Sequence, residues 1–140
     1  MNSDGELTIR LLSDDLLYEE AVRFASDKEL RAAQVNGLLA FSKGEWGELE
    51  KFVNYQASRN WQELKDGQSH PTKFFYSELK KKLAWLKKQA QESRLIPDGL
   101  TKQEAKTCTD AAAAKLAQEF IQHLAAEMLY RTGGNDNAHV

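Results

Sequence analysis

The sequence predicts an all-α protein, a compact bundle of about five helices forming a single domain over 1–132, with a disordered C-terminal tail over 133–140. Three observations carry this prediction. Apolar residues recur three and four apart through most of the chain. A Ser/Thr-x-x-Glu pattern, in which side chain and backbone cap each other at a helix start, precedes three apolar runs. No series of alternating segments indicates a sheet. A chain of 140 residues is long enough for one core without disulfides or metal.

Residues 1–12 show no firm period, Leu7 to Leu12 being at most a weak strand candidate, so the first helix is expected at 14–25, with Ser13 able to cap it and Asp14 and Asp15 suited to the positive end of its dipole. Ser26-Asp27-Lys28-Glu29 reads as a capping box and sets a second helix over about 27–41. That helix is apolar nearly all round, which predicts a central position. Gly37 within it implies close approach by another backbone or a local break, since glycine weakens a helix interior. Ser42-Lys43-Gly44-Glu45 repeats the capping pattern and starts a third helix near Glu45, with Trp46, Leu49, Val53 and Ala57 inward. Residues 62–72 read as the longest loop. A fourth helix follows to about Ser93, with Phe75, Leu79, Leu83, Leu86 and Ala90 inward. After the break at Pro97-Asp98-Gly99, Thr101-Lys102-Gln103-Glu104 opens a fifth helix rich in alanine, expected to run to Arg131 and to end at Gly133 and Gly134.

Composition excludes several classes. With 41% hydrophobic and 29% charged residues, the chain is globular rather than disordered. One cysteine, Cys108, can neither staple the fold nor build a thiolate metal site, which fits a reducing compartment. No segment approaches a membrane span and the acidic N-terminus is unlike an export signal, so a cytoplasmic protein with no membrane role is expected. A net charge of -2 hides a sorted distribution: residues 1–30 carry -5 and residues 71–94 carry +5.

The strongest surface signal lies on the fourth helix. Lys73, Lys80 and Lys87 are seven apart, as are Lys81 and Lys88, and at about 100° per residue all five fall opposite Phe75, Leu79 and Leu86. Only Ser77, Ala84 and Gln91 share the stripe. It is about 20 to 25 Å long and can track several phosphates, the plain alternative being a solvated face. Without an aromatic inside it, backbone contact without base readout is expected. Phe74 and Trp85 lie on the neighbouring flank and could stack bases, pack in the core or meet another protein. Phe52, Tyr55 and Arg59 lie on the outer side of the third helix, where a subunit interface is the favoured reading.

Enzyme chemistry finds no support in the pattern. His70, His123 and His139 are dispersed, His123 with Glu127 reads as an ordinary helix-surface pair, and Cys108 has no base partner in view. No catalytic residue, metal ligand or cofactor is expected.

At Asn36-Gly37-Leu38, followed at once by Leu39-Ala40-Phe41, the sequence resembles the small helical subunit of type III CRISPR effector complexes, the Csm/Cmr small-subunit family. The resemblance covers about residues 28–131 in helix order, and Asn36, Gly37 and Leu38 carry over as structural positions only. It implies a non-catalytic subunit that stacks along the complex, contacts guide and target RNA through basic side chains, and meets other effector-complex subunits. A second reading is a helical adaptor that binds a protein partner and no nucleic acid.

Overall fold

The computed structural model describes residues 3–59, 70–92 and 96–138, and among these the side chains of residues 8–131. The elements are α1 (Ser3–Leu12), a π-helical turn (Ser13–Leu17), α2 (Tyr18–Ala25), α3 (Ala32–Phe41), α4 (Trp46–Ser58), α5 (Pro71–Glu92) and α6 (Lys102–Ala138). No strand occurs among the described residues. With α1, the π turn and α2 taken as one interrupted helix, the five-helix bundle expected from the sequence is what forms.

Helix α6 is the axis of the bundle, touching α2, α3, α4 and α5. Ala112, Ala113, Leu116, Ala117, Phe120, Ile121, Leu124, Ala125 and Met128 are all buried along it. The alanines let neighbouring helices approach closely, and the large side chains between them fill the core. Phe24 of α2 joins the layers, meeting Phe75 of α5 edge-on at 5.5 Å and Phe120 of α6 at 5.9 Å. The five residues predicted inward on α5 are buried, and Tyr76 joins them.

Several local expectations are corrected. Residues 3–12, which carried no clear period, are helical, and the first helix begins eleven residues before Asp14. Ser13 does not cap it. The chain instead widens into a π turn there, and buried Ser13 meets two side chains of α6: its Oγ donates to Glu119 Oε2 at 2.9 Å and lies 2.8 Å from His123 Nε2. Glu127, read as the helix partner of His123, pairs with Arg131 at 3.0 Å.

Ser26 is not a cap either, because its backbone is helical and its hydroxyl donates back to Arg23 O at 2.7 Å. The pattern therefore closes α2 instead of opening a helix. Arg131 donates to Ala25 O at 2.7 Å and Lys28 donates to Phe24 O at 3.0 Å, satisfying carbonyls that α2 leaves unpaired. Helix α3 starts only at Ala32, after extended Arg31. Ser42 likewise bonds backwards, to Leu39 O at 2.6 Å, while extended Glu45 is the residue that precedes α4. The third pattern works as read: Thr101 N–H donates to Glu104 Oε1 at 3.2 Å, and Glu104 N–H donates to Thr101 Oγ1 at 3.1 Å.

Helix α3 is peripheral, not central. Val35 and Leu38 are its only fully buried residues, and Ala33, Ala40 and Phe41 are exposed. A Cβ built on Gly37 would meet nothing within 4 Å, so neither close approach nor a break accounts for that glycine. The apolar circumference that suggested a central helix instead leaves one face of α3 bare. Gly99 makes the turn before α6 with φ +80°, a conformation glycine adopts without strain. Helix α6 continues through Gly133 and Gly134 to Ala138, past the end expected for it. Two glycines weaken a helix by about 1 kcal/mol each without forbidding it. Most of the predicted 62–72 loop, 62–69, lies outside the described residues, and its last two positions already belong to α5.

Candidate nucleic-acid interface

Helix α5 places the lysine stripe as the periodicity predicted. Lys73, Lys80, Lys81 and Lys88 are exposed and Lys87 is half-buried, all on the side away from Phe75, Leu79 and Leu86. A seven-residue step falls about 20° short of two turns, so each row drifts slowly round the helix. Lys73, Lys80 and Lys87 thus form one row, Lys81 and Lys88 another, and Ser77, Ala84 and Gln91 run between them. The result is a trough floored by shorter side chains and flanked by ammonium groups.

The ion pairs differ along it. Lys81 lies 3.6 Å from Glu78 and Lys88 3.9 Å from Glu92, both on its own helix and largely exposed. Such pairs exchange readily with solvent and with a competing anion. Lys87 reaches across to α6, 3.3 Å from Asp110 Oδ1. That oxygen accepts no hydrogen bond of good geometry, so the contact is an ion pair only. Among the described residues, Lys73 and Lys80 have no carboxylate within ion-pairing distance.

Helix α4 packs on α5 and supplies the second wall. The two run antiparallel, the start of α4 lying against the end of α5. Two adjoining cavities follow their seam. The first, about 490 Å³, is lined by Trp46, Glu50 and Asn54 of α4 and by Lys80, Lys87 and Lys88, among others, of α5. The second, about 560 Å³, shares Asn54, Lys80 and Ala84 with it and continues past Ala57, Ser58, Ser77 and Lys81. Their open form suits a linear ligand lying along the seam.

The aromatic candidates are divided. Phe74 is 41% exposed, with Lys28 Nζ 5.4 Å from its ring centre. Trp85 is half-buried against the core and carries Lys82 Nζ 4.6 Å above its ring. Lys82 is in turn held by Glu20 at 3.1 Å, so that face of the indole is occupied. Phe52 is not on the outer side: it stacks on Phe41 at 4.1 Å and meets Tyr76 edge-on at 5.9 Å. Tyr55, 62% exposed, and Arg59, 5.7 Å from the Tyr55 ring, do face outward. None of these four aromatics lines the α4–α5 groove.

Sequence reasoning missed Trp46, Glu50 and Asn54 as groove residues. They repeat every four positions beside the inward Leu49 and Val53, which is a legible signal. Which part of α5 that row faces depends on the register of two helices, and no local pattern encodes it.

Among the described residues, no group of three His, Cys, Asp or Glu side chains could hold a metal ion. His70 Nδ1 accepts the Thr72 N–H at 3.1 Å at the start of α5, and His123 serves the contact with Ser13. No described helix is long and apolar enough to cross a membrane. No family model, curated protein or solved structure matches this chain.

Proposed function

We propose that the protein is a non-catalytic RNA-binding subunit of a ribonucleoprotein complex that holds an RNA backbone along α5. The small subunit of a type III CRISPR effector, in contact with guide or target RNA, is the assembly to which its NGL-LAF segment points. The observation that carries the reading is the trough itself. Five lysines in two rows flank a floor of short side chains over about 22 Å, and two of them have no carboxylate partner among the described residues. Ammonium groups without directional partners neutralise phosphates and read no sequence, as a subunit that must accept any guide requires.

Stacking between copies draws support from the N-terminal helix. Asp14, Asp15 and Glu19 are exposed beside Leu11 and Tyr18, giving an acidic and partly apolar surface distinct from the basic trough. Acidic and basic surfaces of successive copies can meet head to tail. The adaptor reading keeps one specific observation in its favour, the bare face of α3 with Phe41 44% exposed.

Charge reversal separates the two readings. Replacing Lys80, Lys81, Lys87 and Lys88 with Glu is expected to abolish RNA retention at moderate salt while leaving the helical circular dichroism unchanged. Retention that survives this change, with the fold intact, rules out the trough as the binding surface. Pull-down of a protein partner without RNA favours the adaptor.

A further inference from the structure

The head of the α4–α5 groove contains a buried hydrogen-bond donor with nothing to bond. Trp46 is 4% exposed, and its Nε1–H has no acceptor among the described residues. Buried polar groups in folded proteins nearly always find partners, and an orphaned one marks a place where an acceptor comes from outside. Trp46 lines the first cavity together with Lys80, Lys87 and Lys88; Glu50 is the one carboxylate in that lining, Lys87 and Lys88 being paired at its margin with Asp110 and Glu92. It is also the first residue of α4, whose preceding Glu45 makes no side-chain cap, so the positive end of that helix dipole lies at the same place.

From this arrangement we infer that the groove head is a single-phosphate subsite, taking one phosphate of the RNA strand with the Trp46 indole N–H as donor and Lys80 and Lys88 as counter-charges. This rests on the RNA-binding reading and deepens it: the trough holds the strand electrostatically, and the indole fixes where one phosphate sits. Lys87 is the cover. Its Nζ lies 6.0 Å from the centre of the Trp46 ring, so a flexible side chain shields the indole there, and a swing of Lys87 from Asp110 towards the phosphate opens the site. Glu50 opposes the anion and sets a ceiling on affinity.

The test follows the indole resonances of the ¹⁵N-labelled full chain during titration, first with inorganic phosphate and then with a uridine oligonucleotide. The Trp46 resonance is identified by its loss in Trp46→Phe. It is expected to shift saturably with both probes. Trp46→Phe keeps an aromatic ring in the core and removes the N–H, so oligonucleotide affinity falls about two- to tenfold. The melting temperature of the free protein falls in Trp46→Phe, because the smaller ring leaves a void in the core, so both affinities are compared well below it. Glu50→Gln, an exposed change, raises affinity for both probes. Salt-sensitive oligonucleotide binding with a motionless Trp46 resonance and unchanged affinity in Trp46→Phe overturns the subsite and leaves the RNA reading standing. A shift with phosphate but no oligonucleotide binding overturns the RNA source of the ligand together with that reading. No response to either probe overturns both.

Discussion

Gly37 occupies the middle of α3 with open space where a side chain would project. The helical backbone there gains nothing from glycine's freedom, so Gly37→Ala is expected to stabilise the isolated protein by about 0.5–1 kcal/mol in denaturant unfolding. A loss of stability would show that the glycine answers a contact within the chain. Tyr76 presents the opposite case, a polar tip carried into the core by its ring. Burial pushes its hydroxyl from 10.0 up to about 12. The unfolded chain therefore ionises this phenol first, and between about pH 10 and 12 it binds fewer protons than the folded state. The contribution is fully present below pH 10 and is lost across that window, by about 2–3 kcal/mol in all. Tyr76→Phe should remove that part of the alkaline destabilisation, and equal alkaline slopes in the two proteins would contradict the assignment.

At the scale of elements, the π turn is where the long N-terminal helix meets α6. One proton arrangement satisfies its polar contacts: Ser13 Oγ–H donates to Glu119, and the Nε2–H of His123 donates to Ser13 Oγ. Ser13→Ala removes the bridge and leaves a part-buried carboxylate and imidazole without it, at a cost of about 1–3 kcal/mol. In a double-mutant cycle with His123→Ala, a coupling near zero would show that the bridge contributes nothing. The π turn also shows why residues 3–12 lacked a readable period. An extra residue per turn rotates everything before it out of phase with α2, so the apolar positions on either side follow no single 3.6-residue repeat. Cap patterns failed for a related reason. Ser26 and Ser42 close the preceding helices through backward hydrogen bonds, and the four-residue pattern has no mark for which end of a helix it occupies.

Across the whole molecule the charge sorting survives folding. Glu20 with Lys82 is the one ion pair between the acidic N-terminal helix and α5 among the described residues. Asp14, Asp15 and Glu19 on the first helix and Lys73 and Lys80 on α5 have no ion pair among the described residues. If all five lysines neutralise phosphates of a single strand, the logarithm of RNA affinity should fall with the logarithm of salt with a slope near roughly -3.5. Reversal of the four lysines should flatten that slope along with the affinity.

The fold class, the inward faces of α4 and α5 and the lysine stripe were all legible in the chain, because each depends on the spacing of residues within one helix. The family resemblance rests on a six-residue segment, and half of that segment, with Phe41, lies exposed on α3. Tertiary structure alone decided which helix is central, that Trp85 is covered by Lys82 while Tyr55 is open, and that Trp46 brings an unpaired donor to the lysines. These depend on the relative register and depth of helices far apart in sequence. Periodicity fixes the side of a helix that turns inward. What it meets there is set by the packing of the whole bundle.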